Sequence, residues 1–235
     1  MEQFLRGIKD GIPIALGYIA VSFTFGLTAV AGGLSVLQAV LISFMCVTSA
    51  GQFAGIEIMF AGGGLVEMAM TQLVINLRYA LMSISLSQKA DQSMNIFVRL
   101  LVGFGVTDEI FAVAVGRKEE VGKEYMYGLI VIPWLSWTLG TLGGAALGSI
   151  LPVILSEAFG IAIYAMFLAI IIPAGREDKN VIWVILIAAS ISMLVYYTPL
   201  KNFISQGFVI IIASVIASVI GAVLYPVNRE NDSIN

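Results

Sequence analysis

The stretch IPIALGYIAVSFTFGLTAVAGG, residues 12–33, contains no charged side chain. A helix crosses the roughly 30 Å hydrocarbon layer with about 20 apolar residues, so this stretch reads as a transmembrane span. The ten residues ahead of it, MEQFLRGIKD, carry Arg6 and Lys9. An apolar run this long exceeds a signal-peptide core, and the segment is expected to be an uncleaved first span. The pattern recurs along the chain, with further spans expected near 36–60, 65–86, 97–116, 128–150, 157–174, 181–198 and 205–225. The expected fold class is all-α, a polytopic transmembrane helical bundle of seven to eight spans forming a single membrane domain over 1–235. The number turns on 97–116, which carries Thr107-Asp108-Glu109 and reads either as a span or as a re-entrant segment.

Composition points the same way. Hydrophobic residues make up 59% of the chain and charged residues 11%, against about 45–50% and 25% in a soluble domain. Mean hydropathy is +0.98 over the whole length, so lipid rather than a buried core is the main solvent. The net charge of −3 leaves no basic stripe for nucleic acid. The single cysteine, Cys46, has no intrachain disulfide partner. Counting Lys and Arg in short loops places eight basic residues inside and three outside for either eight spans with the N-terminus in or seven with it out.

Much chemistry is missing. The chain has no histidine, which removes Ser-His and Cys-His dyads, HExxH zinc sites and His-ligated haem. Asp108 and Glu109 point about 100 degrees apart on a helix and make a poor catalytic dyad. No phosphate-cradling loop is present, so an enzyme is not expected and neither is a cofactor. Energy for transport would come from a gradient or from another subunit.

The informative residues are polar ones at membrane depth, where a charge at a helix centre costs about 2.5–3.5 kcal/mol on the insertion scale. Thr48-Ser49-Ala50-Gly51-Gln52-Phe53 puts Thr48 and Gln52 one turn apart, with Ser49 beside them and Gly51 able to thin the helix; it reads as a site lining or as a helix–helix contact. Asn76-Leu77-Arg78-Tyr79 sets an arginine deep in an apolar run. Arg78 is expected to pair with Asp108 or Glu109, as structural glue or as part of a transport cycle. Gly103-Phe104-Gly105 feeding Thr107-Asp108-Glu109 has the composition of a helix N-terminus beginning inside the membrane. The two acids are either a cap or a proton- or ammonium-binding pair. Pro13 and Gly17, Gly105, and Pro133 are candidate helix breaks, and Trp134 with Trp137 fits an interface belt. Because Pro13 and Pro133 each open a Gly-rich span, the chain reads either as two repeats, 1–116 and 117–228, or as a membrane protein with ordinary Pro and Gly usage.

Pro13, Gly17-Tyr18, Phe25-Gly26, Ser49-Ala50-Gly51-Gln52-Phe53, Asn76-Leu77-Arg78-Tyr79 and Thr107-Asp108-Glu109, in this order and over nearly the whole chain, resemble the AzlC family of branched-chain amino acid exporters. The resemblance implies a bacterial or archaeal inner-membrane transporter of leucine, isoleucine, valine and methionine. It also implies proton-driven export and a small AzlD-type membrane subunit as partner. The family often has His where this chain has Tyr79, so proton coupling would fall on Asp108 and Glu109. Substrate binding is expected at Thr48, Ser49, Gly51, Gln52, Asn76, Arg78 and Tyr79, with Phe53 and Met45 holding the aliphatic side chain. Rival readings are a passive channel and a non-transporting scaffold subunit.

Overall fold

The computed structural model describes residues 1–91, 94–148, 168, 172, 175–176 and 178–225. Its elements are α1 (Glu2–Ala31), α2 (Val36–Met45), α3 (Ala50–Phe60), α4 (Leu65–Lys89), α5 (Ile96–Gly105), α6 (Asp108–Gly116), α7 (Lys123–Leu147), α8 (Lys179–Tyr197), a 3-10 turn (Pro199–Asn202) and α9 (Gln206–Leu224). Contacts divide the chain into two units, Met1–Ile56 with Ile75–Tyr164, and Glu57–Val74 with Ala165–Asn235.

In the first unit α1 and α7 lie side by side and parallel, with Gly7 beside Tyr125 and Gly26 beside Thr141. A Cβ on Gly26 would collide with the carbonyl oxygen of Thr141, and one on Gly144 with that of Phe23. Lipid tails give apolar helices no hydrophobic reason to associate, so such a pair is held by close backbone packing, which only small residues allow. The helix breaks expected at Pro13, Gly17 and Pro133 are absent, because α1 and α7 run through these residues without interruption. Their tight pairing supplies the reason. Pro133 leaves the Leu129 carbonyl without its helical donor, and Gly11 of α1 packs directly against that carbonyl, so the neighbouring helix covers the backbone group that the proline exposes. Gly105 is the last residue of α5.

Two pairs of short helices fold back on themselves beside this core. α2 starts from a capping box at Ser35 and Gln38 and descends until Ser43 meets Thr141 and Phe44 meets Trp134. The chain turns at Cys46–Ser49, with Ser49 in the left-handed region at φ 47°. α3 then climbs back, its Gln52 at Trp137 and its Ile56 in one cluster with Ala29, Ala39 and Ala145. α5 and α6 make the opposite hairpin. Both start and finish near the beginning of α7, where Val121 pairs with Lys89 and Asp91, Arg117 reaches Gln3, and Lys89 Nζ caps the carbonyls of Val115 and Arg117. Their tip at Val106–Thr107 reaches Tyr18, in the middle of α1.

These hairpins correct the expected seven to eight spans. Among the described residues four helices are long and apolar enough to cross a bilayer: Glu2–Ala31, Lys123–Leu147, Lys179–Tyr197 and Gly207–Leu224. The expected spans 36–60 and 97–116 are each two half-length helices doubled back, so their apolar residues do not add up to one crossing. α4 has 25 residues but is not one of the four, since Gln72, Asn76 and Arg78 interrupt its apolar run in the middle. The expected span 157–174 lies largely outside the described residues.

In the second unit α8 and α9 form an antiparallel pair, with Gly221 tight against Val184. Asp178 caps α8 by accepting from the Asn180 amide at 2.8 Å. The Thr198 hydroxyl opens the Pro199–Asn202 turn, and Leu65–Val74 supplies the first half of α4.

Candidate functional site

The tips of the two hairpins bring most of the singled-out polar residues together within the first unit. At the first tip the Thr48 hydroxyl donates to Asn76 Oδ1 at 2.5 Å and also lies within hydrogen-bonding reach of Tyr79. Asn76 and Tyr79 sit one turn apart on α4, so a single stripe of that helix meets the tip. Ser49 takes its positive φ in the turn, and Gly51 falls in the first turn of α3. The chain therefore breaks ahead of Gly51, at Cys46–Ser49, where Cys46 takes extended backbone. A loop here leaves backbone groups without helical partners, which in lipid is tolerated only where protein or water receives them.

At the second tip Thr107 caps α6 by accepting from the Ile110 amide at 3.4 Å. Asp108 and Glu109 follow in the first helical turn, where the dipole of α6 favours negative charge, and they face different partners. Asp108 Oδ2 lies 2.6 Å from Arg78 Nη1, with 40% of each side chain exposed. Arg78 also donates to the Tyr79 hydroxyl at 3.2 Å and lies over its ring at 4.9 Å. Of the two acids, the ion pair on Arg78 falls to Asp108. Glu109 instead faces Tyr18, whose hydroxyl is 2.7 Å from Glu109 Oε2 and 2.7 Å from Thr107 Oγ1. One hydroxyl has one proton to give, so Tyr18 donates to the carboxylate and the Thr107 hydroxyl closes the other contact.

Gln52 stands apart from Thr48. It is 4% exposed, donates to Ser43 Oγ at 3.0 Å and accepts from Trp137 Nε1 at 2.9 Å. Ser43 is joined in turn to Thr141 at 2.7 Å. Trp137 meets the Tyr18 ring edge-on at 5.2 Å between centroids. Polar contacts thus run from the first hairpin through α7 and α1 to the second. Phe53 is 7% exposed and committed to Phe25 at 5.4 Å, and Met45 is 61% exposed, so neither closes on the ion pair.

Sequence reading missed Ser43 and Thr141, placed Trp137 in an interface belt, and took Tyr18 only as part of a pattern. A signal was present for two of the four, Trp137 and Thr141. Pro133, Trp137, Gly140, Thr141 and Gly144 make one helical stripe of small and polar residues, all buried in the structure, which is inconsistent with a Trp at the membrane interface.

Among the described residues no group of three His, Cys, Asp or Glu could hold a metal ion. The site offers a half-exposed ion pair, a second carboxylate held by a phenol, and amide and hydroxyl groups at two chain breaks.

A family model described as AzlC protein matches residues 13–151. Inner membrane protein YgaZ of Escherichia coli K12 is 31% identical over 185 residues, covering 75% of each chain. An uncharacterized membrane protein of Archaeoglobus fulgidus is 32% identical over 181 residues, 75% of this chain and 79% of its own. One from Helicobacter pylori 26695 is 29% identical over 157 residues, 63% of this chain and 68% of its own. No solved structure matches the chain.

Proposed function

Because this chain belongs to the AzlC family of non-catalytic secondary transporters, multi-pass proteins of the inner membrane, we propose that it exports leucine, isoleucine, valine and methionine. In this reading export is driven by the proton gradient, and a small AzlD-type subunit completes the transporter, as is typical of the family.

The observation that supports the substrate class is the Arg78–Asp108 pair at 2.6 Å. A free amino acid carries the same two charges, joined by a two-bond backbone. Its carboxylate can replace Asp108 on Arg78, in bidentate geometry, while its ammonium replaces Arg78 on Asp108. Such an exchange conserves net charge, so no isolated ion is left in the membrane when substrate enters or leaves. That matters because an unpaired charge at depth costs several kcal/mol. Glu109, held by Tyr18 next to this pair, is the carboxylate left to carry a proton.

Selectivity would be broad. Each buried methylene is worth about 0.8 kcal/mol, enough to favour leucine over alanine and too little to separate leucine from valine sharply. Efflux of radiolabelled leucine from proteoliposomes tests the reading, with wild type set against Arg78→Gln and Asp108→Asn. Both variants are expected to lose most of the flux, and unchanged flux in both overturns the site. Trans-stimulation by external valine separates a carrier from an open pore.

A further inference from the structure

The second unit contains a buried carboxylate that the proposed transport site does not use. Glu67, in the first turn of α4, is 7% exposed, yet none of the ion pairs among the described residues includes it. A buried acid without a basic partner in a membrane protein is a functional group by default. Its Oε1 accepts from the Gly207 amide at 3.0 Å and from the Ser205 hydroxyl. Ser205 is the N-cap of α9 but makes no cap bond to its own helix, because its hydroxyl is turned toward Glu67.

A second observation points to a ligand. Thr71, one turn further along the same face of α4, is fully buried, and its Oγ1 has no hydrogen-bond partner. It is aimed at the same place as the carboxylate: a Cβ added to Gly207 would lie 2.7 Å from Glu67 Oε1 and 2.8 Å from Thr71 Oγ1. Glu67 Oε1 and Thr71 Oγ1 therefore lie close together against the Cα of Gly207, and the Ser205 hydroxyl joins them through Glu67. Lys201, the basic residue on the turn ahead of α9, is exposed and brings no charge to them.

We propose that Glu67, Thr71 and Ser205 form a binding site for one monovalent cation, a proton or a sodium ion, at the N-terminus of α9. All the side-chain ligands are hard oxygens carrying one negative charge in total, which matches a single positive charge. A divalent ion would be left with one charge uncompensated and with too few oxygens. A carboxylate has about four lone-pair positions, and the contacts from Gly207 and Ser205 take two. The α9 dipole favours the anion and opposes the cation, so binding is weak enough to be reversible, as a coupling site requires.

The test reads binding and not transport, so it stands apart from the substrate assignment. Thermal unfolding of the purified full-length chain in lipid nanodiscs is followed by tryptophan fluorescence. One arm titrates sodium chloride against choline chloride at fixed pH, and the other titrates pH in choline alone. One of the two cations is expected to raise the wild-type Tm by about 3–6 °C at ten times its Kd. Glu67→Gln flattens that response, and Thr71→Val weakens it at least threefold in apparent Kd. A sodium response identifies sodium, and a Glu67-dependent pH response in choline identifies the proton. The proposal fails if wild type responds to neither cation. It also fails if Glu67→Gln, or Thr71→Val where Glu67→Gln does not fold, responds as wild type does.

Discussion

Trp137 Nε1 donates to Gln52 Oε1 at 2.9 Å, with Trp137 1% and Gln52 4% exposed. The first turn of α3 is thereby fastened to the middle of α7, at the level where Tyr18 meets the opposite hairpin.

Removing both sides of that bond should cost less than the two single removals added together. Trp137→Phe leaves Gln52 with a buried unpaired acceptor and should destabilise by about 1–3 kcal/mol. Gln52→Leu should cost a similar amount, because Ser43 loses its donor as well. The double variant should fall clearly short of the sum. Denaturant unfolding of all four proteins measures the coupling, and strict additivity would show that the bond does not form.

The Arg78–Asp108 pair should behave differently. Removing either partner leaves the other charge unpaired in the membrane, which costs several kcal/mol, so Arg78→Gln and Asp108→Asn should each lower Tm. The double variant Arg78→Gln with Asp108→Asn leaves no lone charge there and should keep a nearly unchanged Tm while leucine efflux falls at least tenfold. A large drop in Tm for the double variant would make the pair structural.

Two glycines of α1 should give opposite results. A Cβ on Gly26 meets the Thr141 backbone, whereas one on Gly17 meets nothing within 4 Å. Gly26→Ala should destabilise by about 1–3 kcal/mol through overpacking. Gly17→Ala should be neutral or stabilising by up to about 1 kcal/mol from helix propensity. Thermal unfolding of the two variants side by side reads the difference.

Ser49 holds φ at 47°, a region that L-residues other than Asn and Asp avoid. Ser49→Gly should stabilise the turn by about 1 kcal/mol by removing strain. Ser49→Val should destabilise it by more than that, since a β-branched side chain tolerates this backbone worst. Both follow from Tm.

Hydropathy made the chemistry of the site legible before its path. The membrane character, the polar stations at Thr48, Asn76, Arg78 and Asp108, and the approach of Arg78 to an acid could be read from residue type and depth. The doubling back of 36–60 could not. Two helices of 10 and 11 residues use the same number of apolar residues as one crossing, and the break at Cys46–Ser49 contains neither Gly nor Pro. In α1 and α7 the misleading signal ran the other way. Pro13 and Pro133 advertise breaks that close packing between the two helices suppresses, and sequence periodicity within one helix does not reveal which other helix covers it. Glu67 was passed over because an acid near a helix start reads as ordinary capping of its own helix, whereas here it caps α9.

The parallel pairing of α1 with α7 also sets a schedule for synthesis. α1 ends at Ala31 and α7 begins at Lys123, so about 90 residues must leave the ribosome between them, taking roughly 5–20 s at translation speed. Throughout that wait the glycine face of α1 lies in the bilayer without the helix it fits. Lipid covers the face well enough to keep the helix inserted, but any other small-faced helix arriving sooner can take the place. Slowing translation between Ala31 and Lys123 lengthens the interval in which α1 is available to the wrong neighbour.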